Sequence, residues 1–148
     1  GRGATRASGL ATNPPNNPTG AAADLEFSER AVHFAKKYDI AICHDGPYSE
    51  VSYDEYVPVS FMQAKGALDV GVEFHSLSKS YNMTGWRIGY CAGPEDLIKA
   101  MAKLQSQSST NASSISHLAP VESLNGTKAF HPVIQHFIDG RPCQVLPI

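Results

Sequence analysis

Two short apolar runs, each ending in polar side chains, constrain the fold of this chain more than any other feature. The first, YDIAICHD, has the length of a strand and stops at the carboxylate Asp45. The second, DVGVEF, leads into a polar stretch that contains Lys79. A helical pattern precedes the first run, and a helix that leads into a buried strand is half of a parallel α/β unit. We therefore predict an α/β domain with a mostly parallel sheet and flanking helices.

The helix before the first run is predicted from its N-cap and its periodicity. Asp24 is a residue type preferred at helix N-caps, and the pattern ends near Tyr38. The apolar residues that recur at helical spacing are Phe27, Ala31, Phe34, Ala35 and Tyr38. They predict an amphipathic helix that turns these side chains toward the core.

Further helices are predicted in the second half of the chain. One has Pro94 at its first position, where a missing N–H costs nothing. The next is capped by Ser113 or Ser114 and closed by Gly126, and Pro120 inside it predicts a kink or a break. The segment FHPVIQHFI is predicted as a short final helix.

The remaining segments are predicted as one strand and two loops. RIGYCAG is a third candidate strand. NPPNNPTG is predicted as a rigid loop, because prolines remove backbone donors and fix φ. VSYDEYVPVSFM has a mixed pattern and is predicted as a loop with short extended pieces.

Length and charge limit the classes of function. A chain of 148 residues is long enough for one domain with a core. A net charge of -2 gives no strong attraction to nucleic acid or to an anionic membrane. No apolar stretch reaches the length of a membrane span, and the first residues lack the apolar core of a signal peptide. We expect a cytoplasmic protein that acts on small molecules or contacts other proteins.

The cysteines and histidines do not have the spacing of a metal site. The closest histidine pair, His131 and His136, does not place two imidazoles on one helix face. Cys43 and Cys91 lie in apolar runs and are expected to be buried, reduced thiols. No metal site is expected.

Polar side chains follow the two apolar runs where each predicted strand ends. In open α/β sheets, ligands bind outside the carboxyl ends of the strands, so residues 45–48 and 76–79 form the candidate site. A lysine at such an end is expected to be partly desolvated, which favours the neutral amine that forms an imine with an aldehyde. By itself, a lysine after a strand is more typical of a solvated surface residue.

Four motifs in one order give this lysine a more specific context. The order NPPNNPTG, DGPY, SLSK and MTGWRIGY resembles the signature of the pyridoxal phosphate-dependent aminotransferases of the aspartate aminotransferase family, class I and fold type I. The resemblance covers residues 13–126. It implies a partial three-layer large domain that binds pyridoxal 5'-phosphate.

The resemblance implies roles for four residues around the cofactor ring. Lys79 would form the Schiff base with the cofactor and would move the proton between the substrate α-carbon and the cofactor. Asp45 would pair with the pyridine nitrogen. Tyr48 and Asn17 would donate hydrogen bonds to the ring hydroxyl.

The resemblance also implies a phosphate site. Ser76, Ser78 and Arg87 would hold the phosphate, with Arg87 acting as a bidentate fork that a lysine could not replace. Gly85 and Gly89 would let the backbone approach closely around that site.

The resemblance further implies a division of the chain and a set of partners. Residues 13–126 would be the central part of the large domain, residues 1–12 an atypical N-terminal segment and residues 127–148 a divergent C-terminal tail. Family members act on an L-amino acid and a 2-oxo acid and work as homodimers. We therefore expect a fragment of a dimeric transaminase.

Substrate and reaction stay open between alternatives. Residues 42–61 and 71–90 resemble the LL-diaminopimelate aminotransferase branch, whereas residues 97–116 resemble bacterial aspartate aminotransferases. A pyridoxal phosphate-dependent lyase of the same fold is an alternative reaction. A non-catalytic remnant that acts as a binding or dimerising module is an alternative of another class.

Overall fold

The structure is a computed structural model that describes residues 9–51 and 56–126. Within these residues the strands are β1 (Gly9–Thr12), β2 (Ala41–Asp45), β3 (Gly71–Ser76) and β4 (Gly89–Ala92). The helices are α1 (Leu25–Tyr38), α2 (Leu77–Ser80), α3 (Glu95–Ser108) and α4 (Ser114–Asn125). Single turns of 3₁₀-helix lie at Phe61–Gln63, Ala67–Asp69 and Thr84–Trp86.

The strands form one sheet in the order β1-β2-β3-β4. The first three strands are parallel, and β4 pairs antiparallel with β3. Helix α1 connects β1 to β2, because parallel neighbours need a crossover connection. The predicted α/β class with a mostly parallel sheet is confirmed. The apolar runs form β2 and β3, and RIGYCAG contains β4.

Strand β1 is an element that the sequence pattern did not predict. Its residues, GLAT, have neither an apolar run nor clear alternation. The strand forms because its backbone pairs with β2 in register from Gly9 opposite Ala41 to Thr12 opposite His44. Pairing of this kind uses only N–H and C=O groups, which every residue other than proline supplies.

Helix α1 begins and ends as its sequence predicts, but only part of its predicted apolar face is buried. The Asp24 carboxylate accepts a hydrogen bond from the N–H of Phe27 at 2.8 Å, which caps the helix. The buried residues are Ser28, Val32 and Ala35, spaced i, i+4 and i+7. Of the predicted apolar face Ala35 is buried, whereas Phe27 is 39% exposed and Phe34 46% exposed, so the prediction is wrong for these two aromatic residues. Small side chains face the sheet because they let the helix axis approach it closely.

The core lies between α1, β2 and the two 3₁₀ turns before β3. Its buried members are Val32, Ala35, Ile40, Ile42, Phe61, Ala64 and Ala67. Phe61 is its largest side chain, and the ring occupies the space beside Gly71, where an added Cβ would lie 2.4 Å from the ring. This packing fixes the start of β3 against the segment that precedes it.

The two faces of β2 differ in exposure. Ile42 and His44 are buried on the face that meets the core, whereas Cys43 and Asp45 are exposed on the other face. The expectation of a buried Cys43 is therefore wrong, because strand side chains alternate between faces and only one face of β2 is covered among the described residues. Cys91 is half-buried.

Helices α3 and α4 form where predicted. Pro94 is the N-cap of α3 and not its first residue, and Ser113 is the N-cap of α4. Helix α4 continues through Pro120, so of the predicted kink or break the break does not occur, and the kink stays a prediction. Proline removes one intrahelical donor, and the buried Pro120 ring offsets part of that cost. The predicted final helix lies outside the described residues.

Candidate functional site

The predicted site residues lie at one edge of the sheet. Asp45 is the last residue of β2, and Lys79 lies in α2, which follows β3 directly. Asn17 lies in the loop after β1. Because β4 runs antiparallel, its first residue is at the same edge, and Arg87 lies two residues before it. The carboxyl ends of three parallel strands and the amino end of the fourth thus meet here.

A direct hydrogen bond joins two of the predicted motifs. The Asn17 side-chain amide donates to the Tyr48 hydroxyl oxygen at 2.7 Å. The two residues are far apart in sequence, so the fold creates the pair. With Asp45 they line a cavity of about 250 Å³ at the end of β2. The cavity therefore presents an amide, a phenol and a carboxylate together.

Lys79 lies on the same tyrosine. Its ammonium nitrogen is 5.4 Å from the centroid of the Tyr48 ring, within the range of a cation–π contact. The Lys79 side chain is exposed, so the prediction of a desolvated lysine is wrong for this structure. The reason is its position on the open side of the single turn of α2, away from the buried Leu77.

The predicted phosphate residues cluster around α2. Ser76 caps this helix, and its hydroxyl oxygen accepts a hydrogen bond from the Ser78 N–H at 3.2 Å. Thr84 donates from its hydroxyl to the Ser78 carbonyl at 3.1 Å. Arg87 in turn donates to the Thr84 carbonyl at 3.0 Å. Arg87 is thus joined to Ser78 indirectly, through Thr84.

Of the two glycines expected to allow close backbone approach, one does so. A Cβ on Gly89 would lie 2.4 Å from the His75 carbonyl oxygen, so the close pairing of β4 with β3 requires glycine there. A Cβ on Gly85 would have no heavy atom of the described chain within 4 Å, so no other part of the protein requires glycine there, and its expected role at the phosphate stays a prediction. Gly85 lies in open space.

A buried carboxylate near the site was not found from the sequence. The Glu73 side chain is fully buried, and its Oε2 accepts hydrogen bonds from the Ser60 hydroxyl at 2.7 Å and the Met62 N–H at 3.1 Å. Its Oε1 lies 3.0 Å from His75 Nε2 without good hydrogen-bond geometry. Burial tends to raise the pKa of Glu73, but these donors and the His75 charge lower it below the ordinary value. The one sequence signal was a charged residue inside an apolar run.

His44 extends the polar row across the sheet. It pairs in register with Glu73 on β3, and its Nδ1 lies 2.9 Å from the Thr12 hydroxyl on β1. Its ring stacks on Phe61 with centroids 5.6 Å apart. Burial lowers the pKa of His44 and outweighs the opposing charge of Glu73. The neutral ring is therefore favoured.

Residues 9–51 and 56–126 contain neither a cluster of metal ligands nor a helix fit to span a membrane. No group of three or more His, Cys, Asp and Glu side chains there is arranged to hold a metal ion. No helix in the same ranges combines the length and the apolar character that a membrane span requires.

Comparison with known proteins identifies the family. A family model described as aminotransferase class I and II matches residues 2–138. The chain belongs to this family. An LL-diaminopimelate aminotransferase from Dehalococcoides mccartyi is 50% identical over 124 residues, which are 84% of this chain and 32% of the relative. One from Moorella thermoacetica is 49% identical over 123 residues, 83% of this chain and 32% of the relative. The chain spans about a third of the length of these relatives.

Solved structures agree with this assignment. Aspartate aminotransferase from Thermus thermophilus with maleate superposes with a TM-score of 0.80 at 31% identity, covering 93% of this chain and 35% of that chain. A probable N-succinyldiaminopimelate aminotransferase from Thermus thermophilus superposes with a TM-score of 0.78 at 33% identity, covering 88% and 34%. The resemblance drawn from the four motifs is confirmed.

Proposed function

We propose that the protein is an aminotransferase that moves an amino group between an L-amino acid and a 2-oxo acid with pyridoxal phosphate. One observation carries this proposal. Asn17 bonds to Tyr48 beside Asp45, and the Lys79 ammonium lies over the Tyr48 ring. Segments that are distant in sequence thus bring an amide, a phenol, a carboxylate and an amine together. Membership of the aminotransferase family supports the same conclusion.

The chemistry of these side chains fits pyridoxal phosphate. A carboxylate such as Asp45 matches a protonated pyridine nitrogen, and the paired Asn17 and Tyr48 match a ring hydroxyl. Lys79 offers the primary amine that an aldehyde requires. When bound, the cofactor supplies an aldehyde and a ring that accepts electrons.

Ser76, Ser78 and Arg87 are proposed to hold the phosphate. The Ser76 hydroxyl accepts a bond from the Ser78 N–H, which leaves its own proton to donate to a ligand. Arg87 uses one of its N–H groups on the Thr84 carbonyl, and the remaining donors can form a bidentate pair with phosphate oxygens. The link through Thr84 holds the guanidinium in the segment that follows α2.

Lys79 is proposed as the catalytic residue. Its amine would take the proton from the substrate α-carbon and deliver it to the cofactor, since the flexible lysine side chain lets one amine reach both atoms. Asp45 would keep a negative charge at the pyridine nitrogen, and Tyr48 would hold the amine close through its ring face. Asn17 would orient the Tyr48 hydroxyl.

A finer proposal is that LL-diaminopimelate is the amino donor. Relatives that carry this name are about half identical to the chain, at 50% and 49%. Aspartate is the alternative donor, supported by the Thermus thermophilus aspartate aminotransferase at 31% identity. The homodimer, the cytoplasmic location and the division at residues 1–12, 13–126 and 127–148 stay predictions.

Trapping of the imine tests the proposal. The purified chain is titrated with pyridoxal phosphate, its visible absorbance is followed, and the complex is reduced with borohydride and mapped by mass spectrometry. We expect an imine band and a label concentrated on Lys79. Lys79→Ala should remove both, whereas Lys103→Ala, a change of an exposed lysine on α3, should leave both intact. Equal labelling of many lysines would refute the proposed cofactor site.

Product analysis separates transamination from the lyase alternative. The chain with bound cofactor is incubated with LL-diaminopimelate or aspartate and with 2-oxoglutarate. Transamination yields a new amino acid and a new 2-oxo acid in equal amounts, whereas a lyase releases ammonia. Ammonia without amino-group transfer would overturn the proposed reaction while leaving the cofactor site in place. Binding without any product would favour the non-catalytic module.

A further inference from the structure

A polar cluster around the buried Glu73 joins the two loops that carry the candidate site. We define the Glu73 cluster as Ser49, Ser60, Glu73 and His75. Glu73 and His75 are two residues apart on β3, so their side chains lie on the same face of the sheet. His75 Nε2 lies 3.0 Å from Glu73 Oε1, and Ser60 donates to the other carboxylate oxygen at 2.7 Å. The carboxylate is thus fixed on both sides.

His75 makes a second contact that reaches the other loop. Its Nδ1 lies 3.4 Å from the Ser49 hydroxyl. Ser49 is the neighbour of Tyr48, and His75 is the neighbour of Ser76. The His75 imidazole therefore connects the end of β3 to the turn that follows β2. Its plane is held by stacking on Tyr90, with centroids 4.9 Å apart and planes 15° from parallel.

The turn after β2 also packs directly on the cluster. Gly46 is buried, and a Cβ placed on it would lie 3.6 Å from Glu73 Oε1 and 3.4 Å from the His44 ring. The turn continues with backbone bonds from the Ser49 N–H to the Gly46 carbonyl and from the Val51 N–H to the Tyr48 carbonyl. The position of Tyr48 therefore depends on how this turn sits on the buried pair.

We propose that His75 is a positioning residue, whose bond to Ser49 sets the distance between Tyr48 and Lys79. This inference rests on the proposed function, since it concerns how the same site is assembled. Glu73 Oε1 lies 3.0 Å from the imidazole and Tyr90 stacks on its ring, and Ser49 transmits the position of the imidazole to the loop. Loss of the Ser49 hydroxyl should loosen Tyr48 while leaving the contacts of Glu73 with Ser60, the Met62 N–H and His75 in place.

Two serine variants of the full chain test the inference. Ser49→Ala should weaken pyridoxal phosphate binding about fivefold, as expected for one lost hydrogen bond, and should shift the pH midpoint of the imine band. Ser49→Thr keeps the hydroxyl and should restore both. Ser60→Ala is the control, because it removes a bond to the other oxygen of Glu73 and the acceptor for the Met62 N–H but no contact with Ser49. It should lower the Tm yet leave cofactor affinity within about twofold.

Amide hydrogen exchange gives a readout without cofactor. In Ser49→Ala the amides of residues 49 and 51 should exchange about fivefold faster than in the wild type, and in Ser60→Ala they should not change. Equal effects of Ser49→Ala and Ser60→Ala, or unchanged exchange in Ser49→Ala, would overturn the positioning role. If the wild-type chain forms no imine on Lys79, the proposed function fails, and hydrogen exchange alone decides the inference.

Discussion

Two regions of the described chain bury their apolar side chains to very different degrees. Around α1 and β2, Ile42 is 0% exposed and Phe61 is 1% exposed. In α3 no residue is buried, and in α4 the buried residue is Pro120. Ile115 and Leu118 on α4 are 79% and 74% exposed. Because apolar burial dominates the free energy of folding, the first region must supply most of the stability.

The candidate site lies on the better packed of these two regions. Asp45 ends the strand whose other face meets the core, and the segment with Lys79 follows β3, which Phe61 holds in place. Helices α3 and α4 contribute none of the predicted site residues. The contrast teaches that the stability of the site and the packing of α3 and α4 can be changed separately.

The largest effect should come from the centre of the packed region. Phe61→Ala removes the ring that fills the space beside Gly71 and stacks on His44, and should lower the free energy of unfolding by about 3–5 kcal/mol. Leu104→Ala on α3 is the control, since Leu104 is 72% exposed and should change stability by less than about 0.5 kcal/mol. Urea unfolding followed by circular dichroism measures both. Similar losses would mean that the two regions are equally packed.

Acid should weaken the packed region in two steps. Burial lowers the pKa of His44 from its ordinary 6.5. Below about pH 6.5, His44 therefore binds a proton in the unfolded chain but stays neutral in the folded chain, and this difference favours unfolding. Although burial opposes it, the pKa of Glu73 lies below its ordinary 4.5, so stability falls again as the pH drops below about 4.5. The contributions of His44 and Glu73 to the stability of the folded chain are therefore both lost as the pH falls.

Variants separate these two steps. His44→Gln should remove the part of the decline that begins near pH 6.5, and Glu73→Gln should remove the part below about 4.5. His33→Gln, at an exposed position on α1, should change neither. Unfolding free energies measured by urea titration between about pH 2.5 and 8 provide the check. A wild-type profile that is flat across this range would contradict the role of both buried groups.

A smaller effect is expected at the cap of α1. Asp24→Ala removes the side-chain acceptor for the Phe27 N–H and should cost about 1 kcal/mol. Glu29→Ala, an exposed change inside the same helix, should cost less than about 0.5 kcal/mol. Thermal unfolding of both variants measures the difference. Equal Tm values would show that the cap contributes nothing.

The smallest effect is expected on α4. Leu118→Gln replaces an exposed leucine by another good helix former and should change the unfolding free energy by less than about 0.5 kcal/mol. The same urea titration applies. A loss close to that of Phe61→Ala would show that α4 is packed as tightly as the core, and would remove the contrast between the two regions.

Local patterns predicted most of the elements but not which faces they bury. The end of β2 at Asp45 and the cap at Asp24 follow from residue types that act over a few positions. The choice of Val32 over Phe34 as a core residue depends on how closely α1 approaches the sheet, and no local pattern records that distance. Strand β1 likewise depends on a partner strand far away in sequence.

The site could be predicted only in part, for the same reason. The motifs named Asn17, Asp45, Tyr48 and Lys79 through a family resemblance, and the fold brings these four side chains together. Their assigned roles stay predictions. The contacts that support Glu73 link residues from different segments of the chain. The only sign of them in the sequence was a charged residue within an apolar run.

The antiparallel pairing of β4 has a consequence for how the chain tolerates insertions. A parallel fourth strand would require a long crossover, and residues added to that crossover could be absorbed far from the site. Here a short segment turns directly from Lys79 back to Arg87, and Gly89 then locks against the His75 carbonyl. The spacing between the Lys79 amine and the Arg87 guanidinium therefore depends on the number of residues between them. Insertions or deletions in this segment should change that spacing and should not be tolerated.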